Sequence, residues 1–545
     1  MIAGVRWKGF AMKTKSAVAA VLLAGASPFV LFSASAQPAP ADFLITNGKV
    51  YTGDDAPAIK ADVVIAGDKI VYVGPDGAKK YQAKQTIDAK GDIVSPGFID
   101  GHSHPEKWLN DPDPKTRALR PWITQGETLL IMGVEGAGTP NQTEQAAKFA
   151  HTGIGPNVLP LVGYGVLRSP NGILHSEARA ATPEEMTAAK ALIKKGMCEG
   201  GWGLSVSLFN APQNFATTEE VIELAKEAAK YGGIYHTHQR DEASYNIGLM
   251  GSTLESIRVG REAHIPVQIT HIKGLGPDVW GMAPKVVEAI DKARAEGVNV
   301  WADQYPWPAA SAGIEGMVFP EWAEDGGRAA VLKRLDDPAQ LERIRKEGAE
   351  NIRRRGGPES LLMVTLNEEW TGKTIGQMAK TWNVTPVDAV IRIVKTDATG
   401  GGVVSFAINE DDIKVFMKQP WITDSSDAGA NHPRLYSSYP RKYEKYVVAE
   451  HVISEQEFIR SATGREADDL HLDRRGYLKP GYYADVAVFD PKTFKQRNDY
   501  VHYDIPSLGM DALFVNGALT VRDSEPTGAL AGRAVLHVPT PGACP

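Results

Sequence analysis

The sequence has little of several features that mark common classes of protein. Only two of its 545 residues are cysteines, Cys198 and Cys544, so no disulfide framework holds the fold, and their positions leave a bridge between them open. The formal net charge is −7 and no long basic run occurs, which argues against nucleic acid as a partner. No Gly-x-Gly-x-x-Gly motif follows a predicted strand, so a dinucleotide-binding domain is not indicated. The composition, 43% hydrophobic and 23% charged, is typical of a soluble globular enzyme with a large and a smaller domain.

The N-terminal residues predict a targeting segment rather than part of the fold. Basic residues come first, an apolar run extends from Ala17 to Phe32, and Ala34-Ser35-Ala36 matches a cleavage site. We therefore predict a signal peptide over residues 1–36, cleaved after Ala36, and a periplasmic or secreted protein. The alternative is an uncleaved membrane anchor, but small residues and a proline interrupt the apolar run and leave it short for a span. No stable membrane insertion is expected after cleavage.

Both ends of the remaining chain have the pattern of short strands. Residues 43–95 contain a hairpin signal at Gly67-Asp68, and residues 476–537 contain a stronger one at Asn516-Gly517. Two β-rich ends around a long middle predict one small β domain that both ends build. Two separate β caps are the alternative that these patterns leave open.

The middle of the chain alternates helices with strands. Helices are predicted over 218–231, 253–264 and 283–296, each followed by a strand, over 234–238, 266–272 and 298–302. Thr218 is the predicted cap of the first helix. Such repeated units indicate a parallel sheet with crossover helices, and chemistry-bearing residues at the strand ends favour a closed (β/α)8 barrel over an open doubly wound sheet. The charged segment 319–357 is interpreted as a helical insertion on this barrel.

Two histidines mark the end of the first strand of this middle region. An apolar segment leads through Pro96-Gly97 to His102 and His104. Residues two apart in an extended strand point to the same face, so the two imidazoles can share one metal ion. The alternative is a surface strand that carries two unrelated histidines.

Further ligand-type residues follow other predicted strands. They are Glu135, His238, His271 and Asp427. In a barrel, the C-terminal strand ends converge on one mouth, so these groups predict a site for Zn²⁺, with one or two ions, or for another divalent metal. The alternatives are a surface position for Glu135 and a competing role for Asp424 near Asp427. His236 is interpreted as a packed histidine rather than a ligand.

Seven motifs resemble the N-acyl-D-amino-acid deacylases (D-aminoacylases) of the amidohydrolase superfamily, over residues 43 to 535. The motifs are Pro96–His104, Gly232–Glu242, Val267–Lys273, Ala302–Trp307, Ser426-Asp427, His432–Arg434 and Gly481–Phe489. The resemblance implies an α/β fold in which a TIM barrel, residues 96–475, carries a small β-sandwich domain from residues 43–95 and 476–537. It also implies metal-dependent hydrolysis of the amide bond of an N-acyl amino acid. The D configuration of the substrate rests on the resemblance alone.

The resemblance also implies roles for individual residues. His238 and His271 match the histidines of a tightly held zinc ion, and His102 and His104 match those of a second position. Asp427 matches the catalytic aspartate. The positions associated with the substrate carboxylate are matched by Lys273, Tyr305 and Arg434.

The chain departs from the family pattern at two positions. Glu135 stands where the family has a cysteine ligand, and Tyr164 stands where a histidine is common. A carboxylate is a harder ligand than a thiolate and can bridge two ions, so we expect a site that fills both metal positions more readily or accepts metals other than zinc.

Other functions remain open at this stage. A metallo-dipeptidase or a cyclic-amide hydrolase could use the same scaffold on a small-molecule substrate. A periplasmic binding protein that holds metal or ligand without catalysis is a different class, against which Asp427 and the converging ligands argue. The sequence does not indicate the oligomeric state.

Overall fold

The described part of the chain begins just after the predicted signal peptide. The structure, a computed structural model, describes residues 38–169, 171–174, 176–365, 367–397, 402–429 and 431–545. The predicted signal peptide, residues 1–36, lies outside them. Within these ranges no helix has the length and apolar character needed to cross a membrane.

Strands and helices alternate over much of the described chain. The strands are β1 (Ala39–Val50), β2 (Ile59–Ala66), β3 (Lys69–Gly74), β4 (Tyr81–Asp88), β5 (Ile93–Pro96), β6 (Phe98–Asp100), β7 (Glu127–Met132), β8 (Asn157–Pro160), β9 (Val162–Gly163), β10 (Gly203–Ser207), β11 (Ile234–His238), β12 (Val267–Ile269), β13 (Val300–Gln304), β14 (Ala310–Gly313), β15 (Leu361–Met363), β16 (Gly402–Ser405), β17 (Ile422–Asp424), β18 (Val486–Phe489), β19 (Met510–Val515), β20 (Ala518–Arg522) and β21 (Glu525–Pro526).

The helices are numbered in the same way. They are α1 (Gly77–Lys80), α2 (Glu106–Leu109), α3 (Pro114–Arg117), α4 (Arg120–Ile123), α5 (Gln142–Thr152), α6 (Tyr164–Leu167), α7 (Pro183–Cys198), α8 (Thr218–Ala229), α9 (Gly248–Ala263), α10 (Ala283–Ala295), α11 (Ile314–Val318), α12 (Glu321–Glu324), α13 (Gly327–Asp336), α14 (Pro338–Arg354), α15 (Ile375–Trp382), α16 (Pro386–Thr396), α17 (Glu410–Met417), α18 (Arg434–Arg441), α19 (Glu455–Ala462) and α20 (Gly464–Asp469), with 3-10 turns at Gln213–Phe215 and Pro358–Ser360 and a π-helical segment at Lys442–Ala449.

Strands from the two ends of the chain share one sheet. Its order is β21-β20-β19-β18-β5-β1-β2-β3, and β4 pairs with β1. The antiparallel pairing of β18 with β5 joins the C-terminal strands to the N-terminal ones. Both predicted hairpins are confirmed, because β2 pairs with β3 and β19 pairs with β20 in antiparallel register. Asn516 and Gly517 have φ values of 48° and 80°, the left-handed conformations that such a tight turn requires.

The middle of the chain supplies parallel strands, as its alternating pattern predicts. One sheet has the order β17-β13-β12-β11-β10-β9, a second has the order β6-β7-β8, and every pairing in both is parallel. Leu161 alone separates β8 from β9 along the chain. Backbone hydrogen bonds from Gly101 N to Asp424 O (3.0 Å) and from Asp427 N to His102 O (2.8 Å) join the ends of β6 and β17. The two sheets are therefore linked at both edges.

The helix α8 begins one residue earlier than its predicted cap allows. The expected cap, Thr218, is wrong, because the side chain of Thr217 accepts the hydrogen bond from Glu220 N. The spacing Thr-x-x-Glu, in which a glutamate occupies the third helical position, holds for Thr217 and not for Thr218. The predicted strand over 266–272 is also too long, since β12 ends at Ile269.

A disulfide bond joins Cys198, at the end of α7, to Cys544. The sequence left this pairing open because 346 positions separate the two residues. The C-terminal segment that carries Cys544 runs along the parallel strands, where Val535 N donates to Val158 O (2.8 Å) and Trp202 Nε1 donates to Val535 O (2.6 Å). The bond therefore ties down a segment that backbone and side-chain hydrogen bonds already hold.

A separately packed unit is inserted between β13 and β17. Residues 310–405, which we call the inserted unit, contain the three-stranded antiparallel sheet β14-β16-β15 and helices α11 to α16. Its buried side chains, from Ile314 to Val403, form a hydrophobic cluster of their own. The helices predicted over 319–357 lie within it, but the unit extends well beyond them.

Tyr164 belongs to a buried charge network rather than to the cavity described below. Arg168 donates to both carboxylate oxygens of Glu220, at 2.8 and 3.1 Å. Tyr164 Oη donates to the same carboxylate at 2.5 Å and accepts from Arg168 Nε at 2.5 Å. The side chains of Arg168 and Glu220 are 0% and 4% exposed. Loss of either charge would leave the other buried without a counterion.

We expect Glu220→Gln to lower the free energy of unfolding by about 3–5 kcal/mol, because the Arg168 guanidinium would stay buried and unpaired. Glu223→Gln is the matched control on the same helix. Glu223 is 45% exposed and pairs with two lysines, so its loss should cost about 1 kcal/mol or less. Chemical and thermal unfolding of both variants would check this, and equal losses would contradict it.

Candidate metal centre

One cavity of about 510 Å³ gathers the side chains that the sequence singles out. Those that line it are His104, Glu135, His238, His271, Lys273, Tyr305, Asp427 and Arg434. His102 lies beneath it, fully buried, with its Nε2 3.7 Å from Asp427 Oδ1. The structure thus brings all nine predicted residues together, although they come from positions more than 300 residues apart.

The carboxylate of Glu135 lies between four imidazoles. Its Oε1 is 2.6 Å from His238 Nδ1 and 3.2 Å from His271 Nε2. The same oxygen is 4.0 Å from His102 Nε2, and Oε2 is 3.9 Å from His104 Nε2. One carboxylate oxygen therefore faces His238, at the end of β11, and His271, just after β12, and the other faces His104, after β6.

Asp427 completes the group around the second pair of histidines. Its Oδ1 is 3.4 Å from His104 Nε2, and its Oδ2 accepts from Arg434 Nη1 at 2.6 Å. Asp424, the competing candidate, forms a buried ion pair with Lys442 instead. Asp427 is thus the aspartate of this segment that reaches the cavity.

Three of the candidate residues have a left-handed backbone conformation. The φ values are 52° for Glu135, 37° for His271 and 46° for Asp427. For a residue other than glycine this conformation costs on the order of 1–3 kcal/mol, and it persists where surrounding structure holds it. Asp303 Oδ1 accepts from His271 N at 2.8 Å, and Gln213 Nε2 donates to Glu135 O at 2.9 Å. Local strain is thus present at three of the residues whose side chains line the cavity.

The ring nitrogens of His102 fit a metal ligand better than a packed histidine. Both Nδ1 and Nε2 are buried, and neither has a hydrogen-bond partner. A buried polar atom without a partner costs about 1–3 kcal/mol. Its Nε2 lies 3.7–4.0 Å from oxygens of Asp427 and Glu135, a separation suited to atoms that share an ion about 2.0–2.2 Å from each. Imidazole nitrogens with carboxylate oxygens are a donor set for zinc and related divalent metals.

The electrostatics of the cavity also favour a cation. Burial would lower the pKa of His238, but Glu242 and Glu135 outweigh it and raise that pKa to about 9. Burial likewise opposes protonation of His104, whose pKa nevertheless rises to about 9 beside Asp427 and Glu135. Burial and the charge of His271 keep the pKa of His102 well below its usual value, so its ring stays neutral. The carboxylates that stabilise protonated imidazoles here can stabilise a bound divalent cation instead of those protons.

Lys273 is engaged with other groups of the site. Its Nζ donates to Glu242 Oε1 (2.7 Å) and His271 O (3.1 Å), and lies 2.8 Å from His271 Nδ1. Its three donor directions are therefore taken, so it could hold a substrate carboxylate only by exchanging one of these bonds.

Two unpaired donors are better placed to receive a substrate anion. The hydroxyl of Tyr305 and the Nε of Arg434 are buried and have no hydrogen-bond partner. The guanidinium of Arg434 lies 5.2 Å from the ring of Tyr305. These two groups can bind a carboxylate without breaking the Lys273 contacts.

Glu242 and Asp303 are parts of the site that sequence reasoning missed. Glu242 contacts His271 Nδ1 at 3.2 Å and His238 Nε2 at 3.5 Å, and so orients both imidazoles from the side away from Glu135. Asp303 fixes the backbone of His271 as described above. Glu242 stands four residues after His238 and ends the motif Gly232–Glu242, and Asp303 lies within the motif Ala302–Trp307. His236 is packed as predicted, with Nε2 3.2 Å from Gly101 O and its ring stacked on His102.

The chain is similar to D-aminoacylases in sequence and in structure. No protein-family model matches it. A D-aminoacylase of Alcaligenes xylosoxydans xylosoxydans is 27% identical over 525 residues, which cover 91% of this chain and 98% of the relative. A solved D-aminoacylase, described by its binuclear metal center, is 26% identical with a TM-score of 0.76 and covers 91% of this chain and 100% of its own.

A second solved structure adds a bound metal. It is an N-acyl-D-glutamate deacylase from Bordetella bronchiseptica, complexed with zinc and a phosphonate inhibitor that mimics the tetrahedral intermediate. It is 25% identical, with a TM-score of 0.75, and the match covers 91% of this chain and 100% of that one. The resemblance that the motifs imply is thereby confirmed: over about nine-tenths of its length, the chain is similar to proteins named D-aminoacylase and N-acyl-D-glutamate deacylase.

Proposed function

We propose that this chain hydrolyses the amide bond of N-acyl amino acids, giving a carboxylate and a free amino acid. The observation that carries the proposal is the position of Glu135 between two pairs of histidines, in one cavity with Asp427. The names of the relatives support the reaction and the D configuration of the substrate.

The metal ligands follow from the same contacts. His238, His271 and Glu135 would hold one ion, and His102, His104, Asp427 and Glu135 would hold another. Zinc is the ion we propose first. When bound, such an ion would lower the pKa of a water molecule to about 7 and polarise a carbonyl oxygen.

Asp427 is the group that we assign to proton transfer. Burial would raise its pKa, but Arg434 and the neighbouring histidines outweigh burial and hold that pKa well below its usual range, so the carboxylate is ionised. Its Oδ1 would accept a proton from the attacking water and deliver it to the leaving amine. Oδ2 stays bound to Arg434 Nη1, which keeps the carboxylate oriented.

The substrate carboxylate is assigned to Tyr305 and Arg434. The buried hydroxyl of Tyr305 and the free Nε of Arg434 supply two donors beside Asp427. A charged donor gives a stronger hydrogen bond to a carboxylate than a neutral one does. Lys273 would act mainly on Glu242 and His271, and so hold the ligand set in place.

The cavity favours an N-acyl substrate over a dipeptide. A dipeptide has a free ammonium group, which needs a carboxylate of its own. The cavity carboxylates Glu135, Glu242 and Asp427 are each engaged, with His238, Lys273 and Arg434 respectively. A metallo-dipeptidase would therefore have to break one of these contacts.

The architecture that we propose for the whole chain is a barrel with a small β-sandwich domain. Residues 96–475 would form the (β/α)8 barrel, in support of which β6 to β13 and β17 are parallel and backbone bonds link β6 to β17. Residues 43–95 and 476–537 would form the β-sandwich, in support of which they share one sheet. We further propose a periplasmic or secreted location, since a disulfide such as Cys198–Cys544 persists in oxidising compartments.

Asp427→Asn should lower kcat by about 10²–10⁴-fold, because the amide can neither accept nor deliver the proton. Metal content, measured on the same sample, should stay at one ion or more per chain, because His238, His271 and Glu135 would hold their ion without Asp427. Asp411→Asn, at an exposed position of α17, is the matched control and should keep full activity. A near-normal rate for Asp427→Asn would remove the residue from the assigned role.

Removal of metal with a chelator should abolish turnover and lower the thermal unfolding midpoint together. An ion at 100 times its dissociation constant stabilises the folded state by about 2.7 kcal/mol, so the shift is measurable by calorimetry. Added Zn²⁺ should restore both quantities. Full activity in chelated protein that metal analysis shows to be free of metal would rule out the proposed ligand set.

Purified holoenzyme should hydrolyse N-acetyl-D-amino acids in preference to the L enantiomers and to the matching dipeptides. Release of free amino acid from paired substrates would measure this. Faster hydrolysis of dipeptides would favour the metallo-dipeptidase instead, and hydrolysis of neither class would exclude the proposed reaction.

A further inference from the structure

We propose that Arg355 makes this site selective for substrates that carry a second negative charge, in addition to the carboxylate next to the scissile amide. The inference rests on the proposed function and names its substrate class. The second charge can come from an acidic side chain, as in an N-acyl aspartate or glutamate, or from an acidic acyl group, as in an N-succinyl amino acid.

Arg355 reaches the cavity from the inserted unit. It directly follows α14 and lines the same cavity as the candidate metal ligands. The residue is 3% exposed. Its Nε donates to Met317 O at 3.3 Å, and its guanidinium lies 5.7 Å from the ring of Tyr245. Nearly buried, it faces the space where a substrate would sit.

The two preceding arginines show what Arg355 lacks. Arg353 pairs with Asp278 at 2.7 Å, and Arg354 pairs with Glu350 at 3.5 Å. Among the residues that the structure describes, no carboxylate oxygen lies within 4.0 Å of the Arg355 guanidinium. The ion pairs of the neighbouring helices are formed by other arginines of the inserted unit. Three successive arginines thus differ in one respect: the one inside the cavity has no counterion.

The cavity itself cannot provide the missing counterion. Glu135, Glu242 and Asp427 are its carboxylates, and each is already within hydrogen-bond distance of a histidine, a lysine or an arginine. A charged side chain that is nearly buried normally has a partner. The remaining source of an anion is a molecule that enters the cavity.

A substrate with a single carboxylate would leave Arg355 without a counterion. That carboxylate has donors of its own in Tyr305 and Arg434, as assigned above. A guanidinium can bind a second carboxylate through two parallel hydrogen bonds, a geometry that a lysine ammonium cannot match. The lining also includes the small residues Ala310 to Gly313, which leave room for a longer substituent. Arg355 is therefore assigned to specificity and not to the bond cleavage itself.

The test compares three D substrates: N-acetyl-leucine, N-acetyl-glutamate and N-succinyl-leucine. The holoenzyme should hydrolyse at least one of the two dianionic substrates with a higher kcat/KM than N-acetyl-leucine. Arg355→Met should lower kcat/KM for that substrate by about 10- to 100-fold, mainly through KM, because a charge-assisted hydrogen bond is lost. N-acetyl-leucine should be affected by less than about twofold, the change expected where no charged contact is made.

Two further variants keep the test interpretable. Arg353→Met removes a paired, exposed arginine from the last turn of α14, two residues before Arg355, and should change none of the three rates. Arg355→Lys keeps the charge and should retain part of the preference, and it carries the test if Arg355→Met fails to fold. In an Asp427→Asn background, calorimetry should show that Arg355→Met weakens binding of the preferred dianionic substrate by a similar factor.

The outcomes separate the inference from the function on which it rests. Selective loss for N-acetyl-glutamate or for N-succinyl-leucine supports the inference and identifies the source of the second charge. An equal loss for all three substrates would assign Arg355 to the carboxylate beside the amide and overturn it. Unchanged rates in Arg355→Met, or a holoenzyme that prefers N-acetyl-leucine, would overturn the inference while the proposed function stands. If the holoenzyme hydrolyses none of the three substrates, both the inference and the proposed function are contradicted.

Discussion

The contact between the Glu135 carboxylate and the surrounding imidazoles is the interaction on which the rest of the site depends. Glu135 follows β7, and the four histidines around it follow β6 or lie at the ends of β11 and β12. Side chains from separate strands meet this closely only when the parallel strands end at one level. The geometry of the cavity therefore depends on the register of the strands. A shift of one strand by one residue would point its ligand side chain away from the cavity.

A second layer of polar groups holds that geometry. Asp303 fixes the backbone of His271, while Glu242 contacts His271 and His238 from the side opposite Glu135. Asp100, fully buried, accepts from Ser426 N at 2.8 Å and from His102 N at 3.2 Å, and so ties the segment before Asp427 to the one after β6. Such outer contacts set the orientation of ligands and the affinity for metal. They also explain how left-handed conformations at Glu135, His271 and Asp427 can persist.

The sequence predicted the parts of this structure that local spacing controls. The alternation of helices and strands, both hairpins, and the residues at four strand ends follow from periodicity and from short motifs. Other features depend on distant contacts. Thr217 and Thr218 are chemically alike, Glu242 acts only through residues that folding brings near it, and the partner of Cys198 is 346 positions away. The absence of a counterion at Arg355 could not be predicted either, because Arg353, Arg354 and Arg355 are three consecutive arginines that the sequence does not distinguish.

The inserted unit explains how selectivity can vary while the ligand set stays fixed. Met317, Arg355, Thr365 and Gly402 line the cavity from this unit, which has a hydrophobic core of its own. The candidate ligands come instead from residues that follow the parallel strands. A substitution in the inserted unit can therefore change the charge that faces the substrate without moving an imidazole or Glu135. Because the two sets of residues belong to different packed layers, the proposed binding preference and the proposed metal-dependent reaction depend on separate groups of side chains.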